Sequence, residues 1–119
     1  MKKILTLLAL TISFIMNAQL TAVTEGGNTG QRLSTSNASN HGDIGSNAVD
    51  LSYSASSSST NGATGDNSTA MGYSTTASDY ASLVIGQYNS SGSSATSASS
   101  FSTSATAFVI GNGTDSTNK

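Results

Sequence analysis

Along the middle of the chain, small and larger side chains alternate in units of seven residues. Asn61-x-Ala63-x-Gly65 recurs as Ser68-x-Ala70-x-Gly72, then as Thr75-x-Ala77-x-Asp79, then as Ser82-x-Val84-x-Gly86. Within a unit, positions one, three and five are small. The places between them carry Thr69, Met71 and Tyr73, and later Leu83 and Ile85. Alternation of this kind is the signature of a strand. A heptad coiled coil shares the period but needs good helix formers, and a glycine nearly every seventh residue costs a helix about 1 kcal/mol each.

The larger residues reveal a longer period. Thr69 and Met71 are matched by Leu83 and Ile85, whereas the unit between them has Thr76 and Ser78. The full repeat is therefore fourteen residues, one apolar short strand and one polar one. Two such strands with tight turns make one coil of a narrow solenoid, in which neighbouring coils satisfy each other's backbone groups. Alanine at the third position keeps the coil narrow, and glycine is expected to supply its turns. With one apolar strand per coil, Met71, Leu83 and Ile85 are expected to face a threefold axis shared with two further copies.

Outside this frame the pattern is looser. Leu83-Val84-Ile85-Gly86 is echoed by Phe108-Val109-Ile110-Gly111 at an offset of 25, so the register must shift between 87 and 107. Upstream, Val49, Leu51 and Tyr53 alternate with Asp50, Ser52 and Ser54, which predicts a half-buried strand. The expected organisation is a signal peptide over 1–18, a cap and strand region over 19–60, β-roll repeats over 61–111 with the clearest units at 61–88, and a disordered tail over 112–119.

The first segment rests on Met1-Lys2-Lys3, an apolar run from Ile4 to Met16, and Asn17-Ala18-Gln19. A basic head, an apolar middle and a small residue at the cut site form a secretory signal. The run is too short for a stable membrane span, which takes about 20 helical residues. The expected destination is the exterior, as a secreted or cell-surface protein.

Composition narrows the partners. Beyond residue 18 two cations, Arg32 and Lys119, face six carboxylates, a net charge of −4. That balance offers no footprint for a phosphate backbone, so nucleic acid is not an expected partner. The chain has no cysteine, which removes the usual staple of a small exported domain. Three options remain: a disordered chain, a repeat structure held by its backbone ladders, or an assembly in which neighbouring chains complete the core.

The run from Gly65 to Gly86 resembles the head repeats of trimeric autotransporter adhesins, the YadA-like heads. Ser68, Ala70 and Gly72 match the signature, as do Ser82, Val84, Ile85 and Gly86. The resemblance implies an all-β fold, a left-handed parallel β-roll of fourteen-residue repeats that assembles as a homotrimer and contacts a host or matrix protein or a glycan. It also implies a neck, stalk and barrel anchor that the chain lacks, so the expectation is a truncated form.

Candidate chemistry is sparse. His41, the one histidine, reads as an exposed loop residue, and no serine sits in a nucleophile elbow. Asp66 and Asp79 read as turn residues rather than calcium ligands. Tyr73, Tyr80 and Tyr88 form either an aromatic strip or packing between coils. The expectation is a non-enzymatic adhesin-like or fibre-head module with no cofactor and no metal. The competing readings are a structural spacer and a disordered Ser/Thr-rich fragment of a truncated gene.

Overall fold

A computed structural model describes residues 19–89 and 97–119. The signal segment expected over 1–18 lies outside the described residues. Among those described the fold is all-β: eight strands and one short 3-10 turn at Ala38–Asn40.

The chain enters through a hairpin. Strand β1 (Leu20–Glu25) pairs antiparallel with β2 (Asn28–Leu33) across Gly26-Gly27. Both glycines have positive φ, +56° and +87°, as the tight two-residue turn of a hairpin requires. From β2 onward every pairing is parallel. The main sheet continues through β3 (Val49–Tyr53), β5 (Thr69–Tyr73), β7 (Leu83–Gln87) and β8 (Phe108–Asn112). A second sheet pairs β4 (Gly62–Ala63) with β6 (Thr76–Ala77). Parallel stacking thus begins upstream of the 61–111 segment.

The fourteen-residue repeat appears in both sheets, as Thr69 opposite Leu83 and Gly62 opposite Thr76. The other coils are longer. Gln31 lies opposite Val49, Val49 opposite Thr69, and Leu83 opposite Phe108, offsets of 18, 20 and 25. Inserted loops lengthen each turn of the solenoid without breaking the ladder. The echo at offset 25 is therefore a strand pairing, with Gly86 opposite Gly111.

Small side chains fill the interior. Ala63, Ala70, Ala77 and Val84 are buried with Ile44 and Ala48, and Val23 and Val109 pack against them. One interior column runs through Arg32, Asp50, Ala70, Val84 and Val109 in register. Buried Ser68 donates through Oγ to the Ala77 carbonyl at 3.1 Å, and buried Ser82 to the Asp79 carbonyl at 2.8 Å. Thr75 is also buried. Burial of a methyl group stabilises by only about 0.8 kcal/mol, so this thin core leans on its backbone ladders.

Glycine plays a different part from the one expected. The turns Gly45–Ala48, Gly65–Ser68 and Asp79–Ser82 close through backbone bonds between first and fourth residues. Their left-handed third residues are Asn47, Asn67 and Ala81. Gly72 and Gly86 instead sit inside β5 and β7, at φ of +118° and +102°, and a Cβ on either would strike the carbonyl oxygen of the glycine opposite on the next coil. They are needed because the coils approach closely there. The tail differs from expectation too. Asn112 ends β8, the Thr114 N–H donates to the Asn118 carbonyl at 2.8 Å, and Asp115 accepts bonds from Thr117 and Asn118, in place of disorder over 112–119.

Candidate functional site

Strand β3 shows how the solenoid sorts its side chains. Asp50 and Ser52 are fully buried, while Val49 and Leu51 are half-buried and Tyr53 is exposed. The polar face points inward and the apolar face outward, because a narrow coil admits only small or well-paired groups. Strands β5, β7 and β8 repeat the outward placement. Val49, Thr69, Leu83 and Phe108 stand in one column, and Leu51, Met71, Ile85 and Ile110 in the next. Met71 is 43% exposed, Leu83 38% and Ile110 66%; Ile85 is half-buried. The outer surface of the main sheet is a continuous apolar strip across four strands. The repeat-defining residues Ala63, Gly65, Ser68, Ala70, Thr75, Ala77, Asp79, Ser82 and Val84 lie inside the coil and cannot form it.

Beside the strip runs a ladder of tyrosines. Tyr53 and Tyr73 lie opposite each other on β3 and β5, their ring centres 5.9 Å apart. Tyr88, just past β7, meets Tyr73 edge-on at 5.3 Å. The Tyr88 hydroxyl raises the Tyr73 phenol above its ordinary pKa by making the proton harder to release. Tyr80, grouped with Tyr73 and Tyr88 by the repeat, belongs to a separate turn, where its N–H donates to the Ser97 carbonyl at 2.8 Å. The strip is thus Tyr53, Tyr73 and Tyr88.

A second arrangement went unseen in the sequence. Buried Arg32 reaches Glu25 Oε1 through Nη1 at 2.7 Å, Asp50 Oδ2 through Nε at 3.2 Å, and the Gly42 carbonyl through Nη2 at 2.9 Å. His41, expected to be exposed, is 6% accessible, with Nδ1 2.9 Å from Asp50 Oδ2. It is buried because the loop after β2 folds over the first coil, where Gly42 N–H donates to the Asn61 carbonyl at 2.9 Å. Burial pushes the Asp50 carboxyl up. The His41 contact and the bonds from Ser52 outweigh it and hold the group below the ordinary carboxylate value.

Histidine, aspartate and serine are thus together, but not in a catalytic order. Ser52 Oγ donates to Asp50 Oδ1 at 2.6 Å, whereas a triad needs the hydroxyl on the histidine. The cluster locks the hairpin to the first coil. The aspartates of the repeat likewise hold backbone. Asp66 Oδ1 accepts from Ser46 N–H at 2.8 Å, and Asp79 accepts from Ser97 and Thr106 N–H at 3.4 and 3.2 Å. Among the described residues no cluster of three or more metal-ligating side chains occurs, and no helix is long and apolar enough to cross a membrane.

Residues 63–89 match the family model described as the YadA head domain repeat, in two copies. The matched span runs from β4 through β7, where the offset is fourteen, so this part of the chain is a YadA-like head. Neither a curated protein nor a solved structure gives a significant match.

Proposed function

We propose that the chain is a non-enzymatic, exported head module that assembles as a homotrimer and makes adhesive contact with a surface protein or glycan. The observation that carries this is the apolar strip on the main sheet. A coil that buries Asp50 and Ser52 while exposing Met71, Leu83 and Ile110 is arranged for a partner on its outer face, since contiguous exposed apolar surface marks an interaction site. Three copies around an axis would bury the strip on Met71, Leu83 and Ile85, and the YadA-like head repeats of residues 63–89 favour that arrangement. Export, by way of the signal segment over 1–18, is part of the same reading.

Adhesion is separated from a plain spacer role by binding. The purified assembly is offered to immobilised matrix proteins and to a glycan array. Saturable binding to at least one ligand class is the expected result. An assembly that binds none of them is a spacer.

A further inference from the structure

The tyrosine ladder borders a groove of about 350 Å³. Tyr73 and Tyr88 line it together with Ser54, Ser74 and Asn61. The volume lies within the usual range for a small-ligand site, roughly 300–1,000 Å³. Part of its lining, Ser54 to Asn61, comes from the loop after β3, in the coil where the offset is 20 rather than fourteen. The polar groups are already tied into a network. Asn61 Nδ2 donates to Ser54 Oγ at 2.8 Å, and Ser54 Oγ lies 3.5 Å from Ser74 Oγ. Their remaining valences are neutral hydroxyls and an amide.

We infer that this groove is a binding site for a neutral saccharide of one or two rings. The chemistry of the walls selects that class. A pyranose presents an apolar C–H face and a rim of hydroxyls, matching a groove lined by both aromatic rings and serine and asparagine side chains. An anionic ligand finds only Lys119, and Asp115 on the same groove opposes it. An apolar ligand finds too many hydroxyls. The tyrosines are preorganised by tilted and edge-on packing against one another, so little side-chain freedom is lost on binding. The inference rests on the adhesive reading and names its ligand class, but the groove is built by one chain and does not require the trimer.

The test uses intrinsic tyrosine emission, because the chain has four tyrosines and no tryptophan and three of the four are in the ladder. The probes are maltose, lactose and N,N′-diacetylchitobiose, with a collagen-like triple-helical peptide as the alternative class. A saturable change with at least one disaccharide is expected. Y88L should weaken it about tenfold, Y88F by less than about threefold, and Y80L not at all. If Y88L fails to fold by circular dichroism, ring-proton shifts in the wild-type chain replace it; they must move at Tyr73 and Tyr88. Failure of all three disaccharides, equal binding by Y88L, shifts confined to other residues, or binding of the peptide alone overturns the site. Molar mass recorded on the same sample keeps this outcome separate from that of assembly.

Discussion

At the scale of single residues, the unusual choice is a buried arginine in a chain with so few cations. Arg32 takes the interior place that Ala70 and Val84 take in later coils, and Asp50 directly above it supplies the counter-charge. Removing one partner of such a pair leaves the other charge buried and costs about 3–5 kcal/mol. R32M is therefore expected to lower the unfolding free energy by that order in urea titration. The Asp50 carboxyl is held below its unfolded pKa of about 3.9. Between the folded and unfolded values the unfolded chain binds more protons, so stability falls as pH is lowered through that window. Above it the contribution is fully present. Urea titrations from pH 6 downward should show this fall, and D50N should flatten it. Asn89 shows the same economy at the other end. Its side-chain oxygen accepts from Thr76 N–H at 2.7 Å and its amide donates to the Thr76 carbonyl at 3.0 Å, so it stands in for the next strand of the small sheet. N89A strands both groups and should cost about 1–3 kcal/mol, read by the same titration.

At the scale of elements, the turns and the glycine column carry the repeat. Asn47 and Asn67 suit the left-handed region, but Ala81 adopts it at φ +54°, where an alanine is strained by about 1 kcal/mol. A81N is expected to raise the melting temperature by about 4–8 °C. G72A should do the reverse, costing about 3 kcal/mol or more, because its Cβ would meet backbone rather than a side chain that can move. How much of this is legible in the sequence depends on the loops. Where the offset is fourteen, the interior alanines and outward Met71, Leu83 and Ile85 can be read from period alone. Arg32, Asp50 and His41 could not be brought together that way, because offsets of 18 and 20 break the frame. The hairpin carries one local signal, the two-residue Gly26-Gly27 turn, but the flanking segments LTAVTE and NTGQRL do not alternate. The number of glycines around it obscured which pair mattered. His41 looked exposed because its neighbours Asn40 and Gly42 are loop residues, and nothing local reports that the loop folds over Asp50.

At the scale of the whole molecule, the solenoid is closed inside and apolar along one outer face. Its interior holds small side chains and a paired charge cluster, while Met71, Leu83, Phe108 and Ile110 remain at the surface. Stacked coils with so thin a core gain little from their own apolar burial. Burial between copies is what the outward columns can add, and in an obligate assembly that gain is part of folding itself. L83D places a charge in the middle of the strip, opposite Thr69 and Phe108 on the flanking strands. It should dissociate the proposed trimer, read as a fall in sedimentation coefficient, while leaving the interior columns untouched. The most direct test of the central claim is the molar mass of the purified mature chain by gel filtration with light scattering, with circular dichroism on the same fractions. The account predicts a β-rich species of three times the chain mass. A stable, folded monomer would contradict it.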